Sequence, residues 1–268
     1  MKTRKRHSVT TERDVLRVNL RKGSVESLRD EVVVEGRMEL HINGEHYAVF
    51  SCSPSEYKEL TIGHLLAEGI IDSVEEIESV DVSGGRVDVH LTKGVDMALS
   101  GRPRLILTEC GGESEKVPSR LWMKPRVKDA TTVRFDFRTV VNAVKTLNSL
   151  ARTFRRTGGT HASALLGRDG NPLAFSEDIG RHNAVDKVLG KAALRGLNLK
   201  GMILASTGRL TSDMVIKAAN VGIPVIVSIS APTDKGIKVA EMAGLTLIGF
   251  ARGRRFNIYT HPERIEKP

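Results

Sequence analysis

The chain has 268 residues, 40% hydrophobic and 27% charged, and 41 Lys and Arg against 32 Asp and Glu give it a net charge of +9. That is the composition of a globular protein, and its basic balance favours anionic partners such as nucleotides, phosphorylated cofactors, nucleic acid or acidic proteins. No apolar run approaches the ~20 residues of a membrane span, no apolar segment follows the basic start, and Cys52 and Cys110 are too few for a disulfide scaffold or a four-thiolate metal site, so a cytoplasmic chain with no membrane partner is expected.

Lys2, Arg4, Lys5 and Arg6 open a basic stretch, expected to be a disordered tail over residues 1–14. Residues 15–112 read as a β-rich region. Val32–Val34, Met38–Ile42 and Tyr47–Phe50 have strand character, and Asn43-Gly44 between the last two predicts a hairpin because both residue types tolerate positive φ. Ser53-Pro54-Ser55 then opens a helix with Leu60, Ile62, Leu65, Leu66 and Ile70 on its apolar face. A second hairpin over Ser79–Leu91 turns at Gly84-Gly85, and the short apolar strand Leu105–Leu107 leads into Thr108-Glu109-Cys110-Gly111-Gly112. Residues 113–134, polar, basic and without periodicity, read as a linker or mobile loop.

Residues 135–268 have an α/β rhythm. A helix over Asp136–Arg152 precedes paired strands at Ala162–Leu166 and Leu173–Ser176, then a helix at Asn183–Leu194 and a strand at Met202–Ser206. A helix at Thr211–Asn220, a strand at Ile223–Ser228, a helix at Pro232–Ala243 and a strand at Leu245–Phe250 complete it. Strands alternating with helices predict parallel pairing.

Five segments carry polar groups where α/β proteins place sites. Cys110 follows a strand and precedes two glycines, which leave its sulfur uncovered; it is either a reactive thiol or a small buried hydrophobe. Ser206, Gly208 and Arg209 lie between a strand and a helix, where backbone N–H groups receive anions, although Thr211 or Ser212 capping would also explain the segment. Arg181 and His182 follow Glu177-Asp178 at a strand–helix junction richer in polar groups than a cap requires. Phe250, Ala251, Arg252, Gly253, Arg254 and Arg255 end the last strand with guanidinium groups suited to phosphate. His161 heads a His-Ala-Ser segment. Ser163 stands where the zinc deaminases have glutamate, and no Cys-x-x-Cys follows, so deaminase chemistry and a resident metal are not expected.

Taken together, EDIGRHNAVDKVLG at 177–190, STGRLTSDMVIKAA at 206–219, GIPVIVSISAPTDKGIKVA at 222–240, LTLIGFARGRRFNIYTH at 245–261 and CSPSEYKELTIGHLLAEGII at 52–71 resemble the formate dehydrogenase accessory sulfurtransferases, the FdhD family. The resemblance implies a C-terminal α/β domain of cytidine-deaminase-like fold and a homodimer. It implies a sulfur carrier that takes sulfur from a cysteine desulfurase as a persulfide and delivers it to the molybdenum bis(guanine dinucleotide) cofactor before insertion into formate dehydrogenase. The family's persulfide cysteine falls on Cys110, and its cofactor-binding stretch on Phe250–Arg255. Many members carry Cys-x-x-Cys in the reactive loop; here Gly111, Gly112 and Glu113 follow Cys110. The expectations are therefore a sulfurtransferase with no permanently bound cofactor, GDP-like nucleotide binding, and no nucleic-acid partner, because no recognition motif or aromatic platform accompanies the charge. The alternative is a non-catalytic cofactor chaperone for formate dehydrogenase.

Overall fold

The computed structural model describes residues 8–92, the backbone of 104–106, residue 127 and residues 133–266. Cys110 and nearly all of the 113–134 segment lie outside the described residues. Of the expected tail, Thr10–Asp14 instead begin a strand: β1 (Thr10–Asn19) pairs antiparallel with β2 (Ser24–Val33) in a two-stranded sheet of its own. The ribbon rests on the body near its base, where Glu31 pairs with Arg156 at 2.8 Å.

β3 (Gly36–Ile42) and β4 (Glu45–Cys52) form the hairpin predicted at Asn43-Gly44, whose φ values are 50° and 85°. After α1 (Tyr57–Ala67) come β5 (Ile77–Ser83), β6 (Arg86–Leu91) and β7 (Arg104–Ile106), giving a five-stranded sheet in the order β5-β6-β3-β4-β7. Alternate residues Met38, Leu40, Phe50, Val87 and Val89 meet Leu60 and Leu65 of α1 in one core, which also encloses Cys52. The helix is not capped by Ser53-Pro54-Ser55: its N-cap is Glu56 at φ 58°, and Ser53 is used elsewhere.

Beyond β8 (Phe135–Asp136), the expected helix is α2 (Phe137–Leu150), and a short α3 (Arg152–Thr157) follows it. There follow β9 (His161–Leu166), β10 (Pro172–Asp178), α4 (Arg181–Leu194), β11 (Ile203–Ser206), α5 (Ser212–Asn220), β12 (Val225–Ser228), α6 (Asp234–Ala243), β13 (Thr246–Arg252), β14 (Arg255–Ile258) and β15 (Ile265–Glu266). The main sheet runs β10-β9-β11-β12-β13-β14, with β11, β12 and β13 parallel as the alternation predicts. β9–β10 and β13–β14 are antiparallel hairpins at the two ends. Strand alternation divides the core: Leu204, Ile226 and Leu247 face α4 and α5, while Ile203, Ala205, Val225 and Val227 face α2.

The two halves share a backbone contact. A Cβ on Gly63 of α1 would overlap the carbonyl of Asp186, and one on Gly190 of α4 would overlap the carbonyl of Glu59. Only hydrogen at both positions lets these helices come so close. That contact buries the polar Thr61 and His64 of α1 along with its apolar residues, so the helix carries no polar stripe at its centre.

Candidate functional site at the carboxyl edge of the main sheet

The parallel strands β11, β12 and β13 end at one edge of the sheet, the edge at which open α/β sheets take ligands. The antiparallel β9 begins there with His161 and β10 ends there with Asp178, the two being register partners. Just inside the edge, one register level holds Ser176, Ser163, Ser206 and Ser228 on four adjacent strands. All four are buried on the α4–α5 face. Each lies two residues from an apolar core member of that face, Ala174, Leu165, Leu204 and Ile226.

Two of these serines fix the 206–212 loop. Ser206 Oγ accepts from Gly208 N–H at 3.1 Å, and Ser228 Oγ donates to Gly208 C=O at 2.6 Å. Gly208 must be glycine for a packing reason: a Cβ there would stand 2.8 Å from Cβ and Cδ of Arg181. The loop thus carries the Arg181 stem, and Arg181 itself is buried. Arg209 is exposed beyond it. The capping that would alternatively explain the segment is absent at Thr211, which as N-cap makes no side-chain cap bond and whose Oγ1 is enclosed without a partner.

The carboxylates expected to mark a site are structural. Glu177 accepts from Thr153 N–H at 3.0 Å and Phe154 N–H at 2.8 Å, closing the start of α3. Asp178 is wholly buried and accepts from Ser53 N–H, Gly180 N–H, Asn183 Nδ2 and Lys187 Nζ. Sequence reasoning missed this role because Ser53 lies 125 residues away.

His182, beside Arg181 in sequence, faces a different environment. It is half-buried in the seam between α1, α4 and α5, and its Nε2 is enclosed without a hydrogen-bond partner. Burial, then Lys217 and Arg181, push its pKa down to about 3. In the same seam Asp186 accepts from His64 Nδ1 at 3.2 Å and from Lys217 at 3.0 Å, and Lys217 also meets Glu68 at 2.7 Å. Burial works against the Lys217 charge, but Asp186 and Glu68 hold its pKa above the ordinary lysine value.

At the other end of the edge, Phe250 to Arg255 do not form an open turn. β13 continues through Arg252 and turns at Gly253, φ 60°, into β14, a strand absent from the sequence reading. Phe250 holds φ 52° and donates its N–H to Ser230 C=O at 3.0 Å. Arg252 Nε donates to Ile229 C=O at 3.2 Å, which ties the hairpin to the loop after β12. Ala251 is core, while the side chains of Arg252, Arg254 and Arg255 are exposed. The structure therefore brings Arg181, Ser206, Gly208, Arg209 and the 250–255 hairpin to one edge, and leaves His182 behind them.

His161, Thr207 and Ser228 complete that edge and were not among the expected binding residues. For Ser228 a signal existed: β11 and β12 are each an apolar run ending in serine. Cys52, the one described cysteine, is enclosed in the N-terminal core; burial, and then Asp178, push its thiol pKa up to about 12. No group of three or more His, Cys, Asp or Glu among the described residues could hold a metal ion, and no described helix is long and apolar enough to cross a membrane.

A model of the FdhD/NarQ family matches residues 33–266. The chain is 38% identical over 238 residues to the sulfur carrier protein FdhD of Methanothermobacter thermautotrophicus, covering 88% of this chain and 92% of the relative. It is 32% identical over 261 residues to that of Bacillus subtilis, covering 97% and 98%. Among solved structures, a crystal structure described as a formate dehydrogenase accessory protein of Desulfotalea psychrophila superposes with TM-score 0.79 at 26% identity, covering 97% of this chain and all of that one.

Proposed function

The chain belongs to the FdhD/NarQ family, and from that premise we propose that it is a sulfur carrier in formate dehydrogenase maturation, working through a persulfide on Cys110. The observation that carries the assignment to Cys110 is the state of the other cysteine. The chain has two, and Cys52 is fully enclosed with a thiol pKa near 12. Only a thiolate attacks sulfane sulfur, so Cys52 is inert at neutral pH. The Cys110 thiolate attacks the terminal sulfur of a cysteine desulfurase persulfide. An S–S bond forms on Cys110, and the desulfurase cysteine leaves as thiolate. The terminal sulfur then passes to the molybdenum bis(guanine dinucleotide) cofactor, which is substrate here rather than a resident group: the S–S bond breaks, Cys110 leaves as thiolate, and the reduced metal of the substrate supplies the two electrons that make the transferred atom sulfide.

The carboxyl edge is the surface we assign to that substrate. Arg252, Arg254 and Arg255 suit its phosphates, and Arg181, Ser206, Gly208 and Arg209 line the same edge, with His182 set behind them. We further assign a homodimer joined through the β1–β2 ribbon. Its tip exposes Leu16 (72%), Val18 (60%), Leu20 (91%) and Val25 (65%), more apolar surface than a solvated two-stranded ribbon sustains.

The test is intact-protein mass spectrometry after incubation with a cysteine desulfurase and cysteine. Wild type should gain the mass of one sulfur, and Cys110→Ser should gain none. Sulfur found on Cys52 alone would overturn the assignment.

A further inference from the structure

His161 opens β9 at the carboxyl edge, on the same strand face as Ser163 and in register with Asp178. Its Nδ1 lies 3.0 Å from Thr207 Oγ1. That oxygen already accepts from Ala162 N–H at 3.0 Å, while Thr207 N–H donates to Ala162 C=O at 3.0 Å. The hydroxyl can donate to Nδ1, or accept a second time from it, according to the imidazole tautomer. With the hydroxyl donating, Nδ1 is the acceptor and the imidazole proton sits on Nε2. Nε2 makes no hydrogen bond among the described residues, and the ring is half-buried rather than enclosed.

The bond to Thr207 does not hold the strands together, because the Ala162–Thr207 backbone pair and the Thr207 oxygen do that without the ring. What it fixes is the direction of the imidazole, and with the hydroxyl donating it leaves one N–H donor at the edge. Around this donor the groups are those an anion needs. The Arg181 charge acts on His161, and the N-termini of α4 and α5, helices of 14 and 9 residues, open here. Ser163, with no exposed surface and an unpartnered Oγ, lies two residues along on the same face. Burial, then Arg181, lower the pKa of His161, so the ring is neutral at neutral pH and acts as a hydrogen-bond donor rather than as a charge.

We propose that His161 is a ligand-binding residue whose Nε2–H, aimed by Thr207, donates to a phosphate-type oxyanion seated beside Arg181. This rests on the reading of the edge as the site of a phosphorylated substrate, and extends it to a residue pair outside the arginine hairpin.

Calorimetry with GDP and with inorganic pyrophosphate, on wild type, His161→Ala, His161→Gln and Thr207→Val, tests it. His161→Ala should weaken both ligands about tenfold, the loss of one hydrogen bond to a charged acceptor. Glutamine places an amide N–H near the Nε2 position and should recover most of that loss, which a merely structural role would not predict. Imidazole ¹⁵N NMR should show Nδ1 unprotonated in wild type and a mixture of tautomers in Thr207→Val. Wild type that binds neither probe would overturn both the phosphate reading of the edge and this assignment. Wild type that binds both, with the alanine and glutamine variants equal to it, would overturn the His161 assignment alone.

Discussion

Lys187 Nζ lies 2.5 Å from Asp178 Oδ2, with neither side chain exposed at all, and the same Asp178 oxygen accepts the N–H of Ser53 at 3.0 Å. One buried ion pair thus joins the end of β10, the middle of α4 and the segment entering α1. Removing one partner strands the other charge, at a cost of roughly 3–5 kcal/mol. Lys187→Met should therefore lower stability by about that much in urea unfolding. Lys187→Met with Asp178→Asn should cost clearly less than the two single losses added, because neither charge then remains unpaired. Simple additivity would show that the pair is not coupled.

His182 gives the protein an acid-sensitive term with a defined sign. Its folded pKa, near 3, lies below the ~6.5 of an unfolded histidine. The unfolded chain therefore binds the proton more readily. The stabilisation is complete above about pH 6.5 and is lost as pH falls toward 3. The urea midpoint of wild type should drop through that window, and His182→Gln should flatten the drop. Equal slopes for both proteins would mean that His182 titrates as an exposed histidine.

Much of the fold was legible in the sequence, and the unread parts share a cause. Asn43-Gly44 adopts the positive φ pair expected of it, and apolar runs such as Ile203–Ala205 became parallel strands because they are buried on both faces. Of the β1–β2 ribbon only the end at Val32–Val34 was legible as strand, since both of its faces carry charge and no core imposes alternation. β14 was missed because Arg254 and Arg255 dominate the local composition. The 206–212 loop, Arg181 and the arginine hairpin could be named one by one, but their shared edge follows from strand order, which puts β9 between β10 and β11. The roles of Ser53 with Asp178, and of Gly63 with Gly190, depend on contacts more than 120 residues apart and leave no local trace.

The ribbon tip provides a test of assembly. Leu16 and Val18 lie on one face with Val25, the register partner of Val18. Replacing Leu16 and Leu20 with Ser removes two large exposed side chains that no core contact holds. Light scattering should give a dimer mass for wild type and a monomer mass for the double variant at the same concentration, with far-UV circular dichroism unchanged. A monomeric wild type would remove the dimer reading.

The arginine hairpin should discriminate among nucleotides only if it belongs to a guanine site. Calorimetry at equal salt should show GDP bound more tightly than ADP. Arg252→Ala with Arg255→Ala should weaken GDP by roughly a hundredfold or more, each of the two charge-assisted contacts being worth roughly 1.5–3 kcal/mol. Equal affinity for GDP and ADP would leave only charge attraction.

The thiol separates sulfur transfer from cofactor escort. Both readings use the same edge, so loss of Arg252 and Arg255 harms either. Cys110 lies outside the arginine hairpin in sequence, and a thiol contributes little to nucleotide affinity, so GDP binding to Cys110→Ala should match wild type. A carrier without its sulfur-accepting atom still delivers metal and nucleotide but not the metal-bound sulfur. In a strain lacking its own accessory protein, formate dehydrogenase made with Cys110→Ala should therefore contain molybdenum and guanine nucleotide yet fail to reduce dye with formate. Cys52→Ala provides the matched control. It removes a core thiol whose pKa is near 12, so it should cost stability but not sulfur transfer, provided the variant folds. Full activity with Cys110→Ala would end the persulfide mechanism and leave an escort. Full activity with Cys52→Ala, beside an inactive Cys110→Ala enzyme that has its metal and nucleotide, would place the transferred sulfur on Cys110.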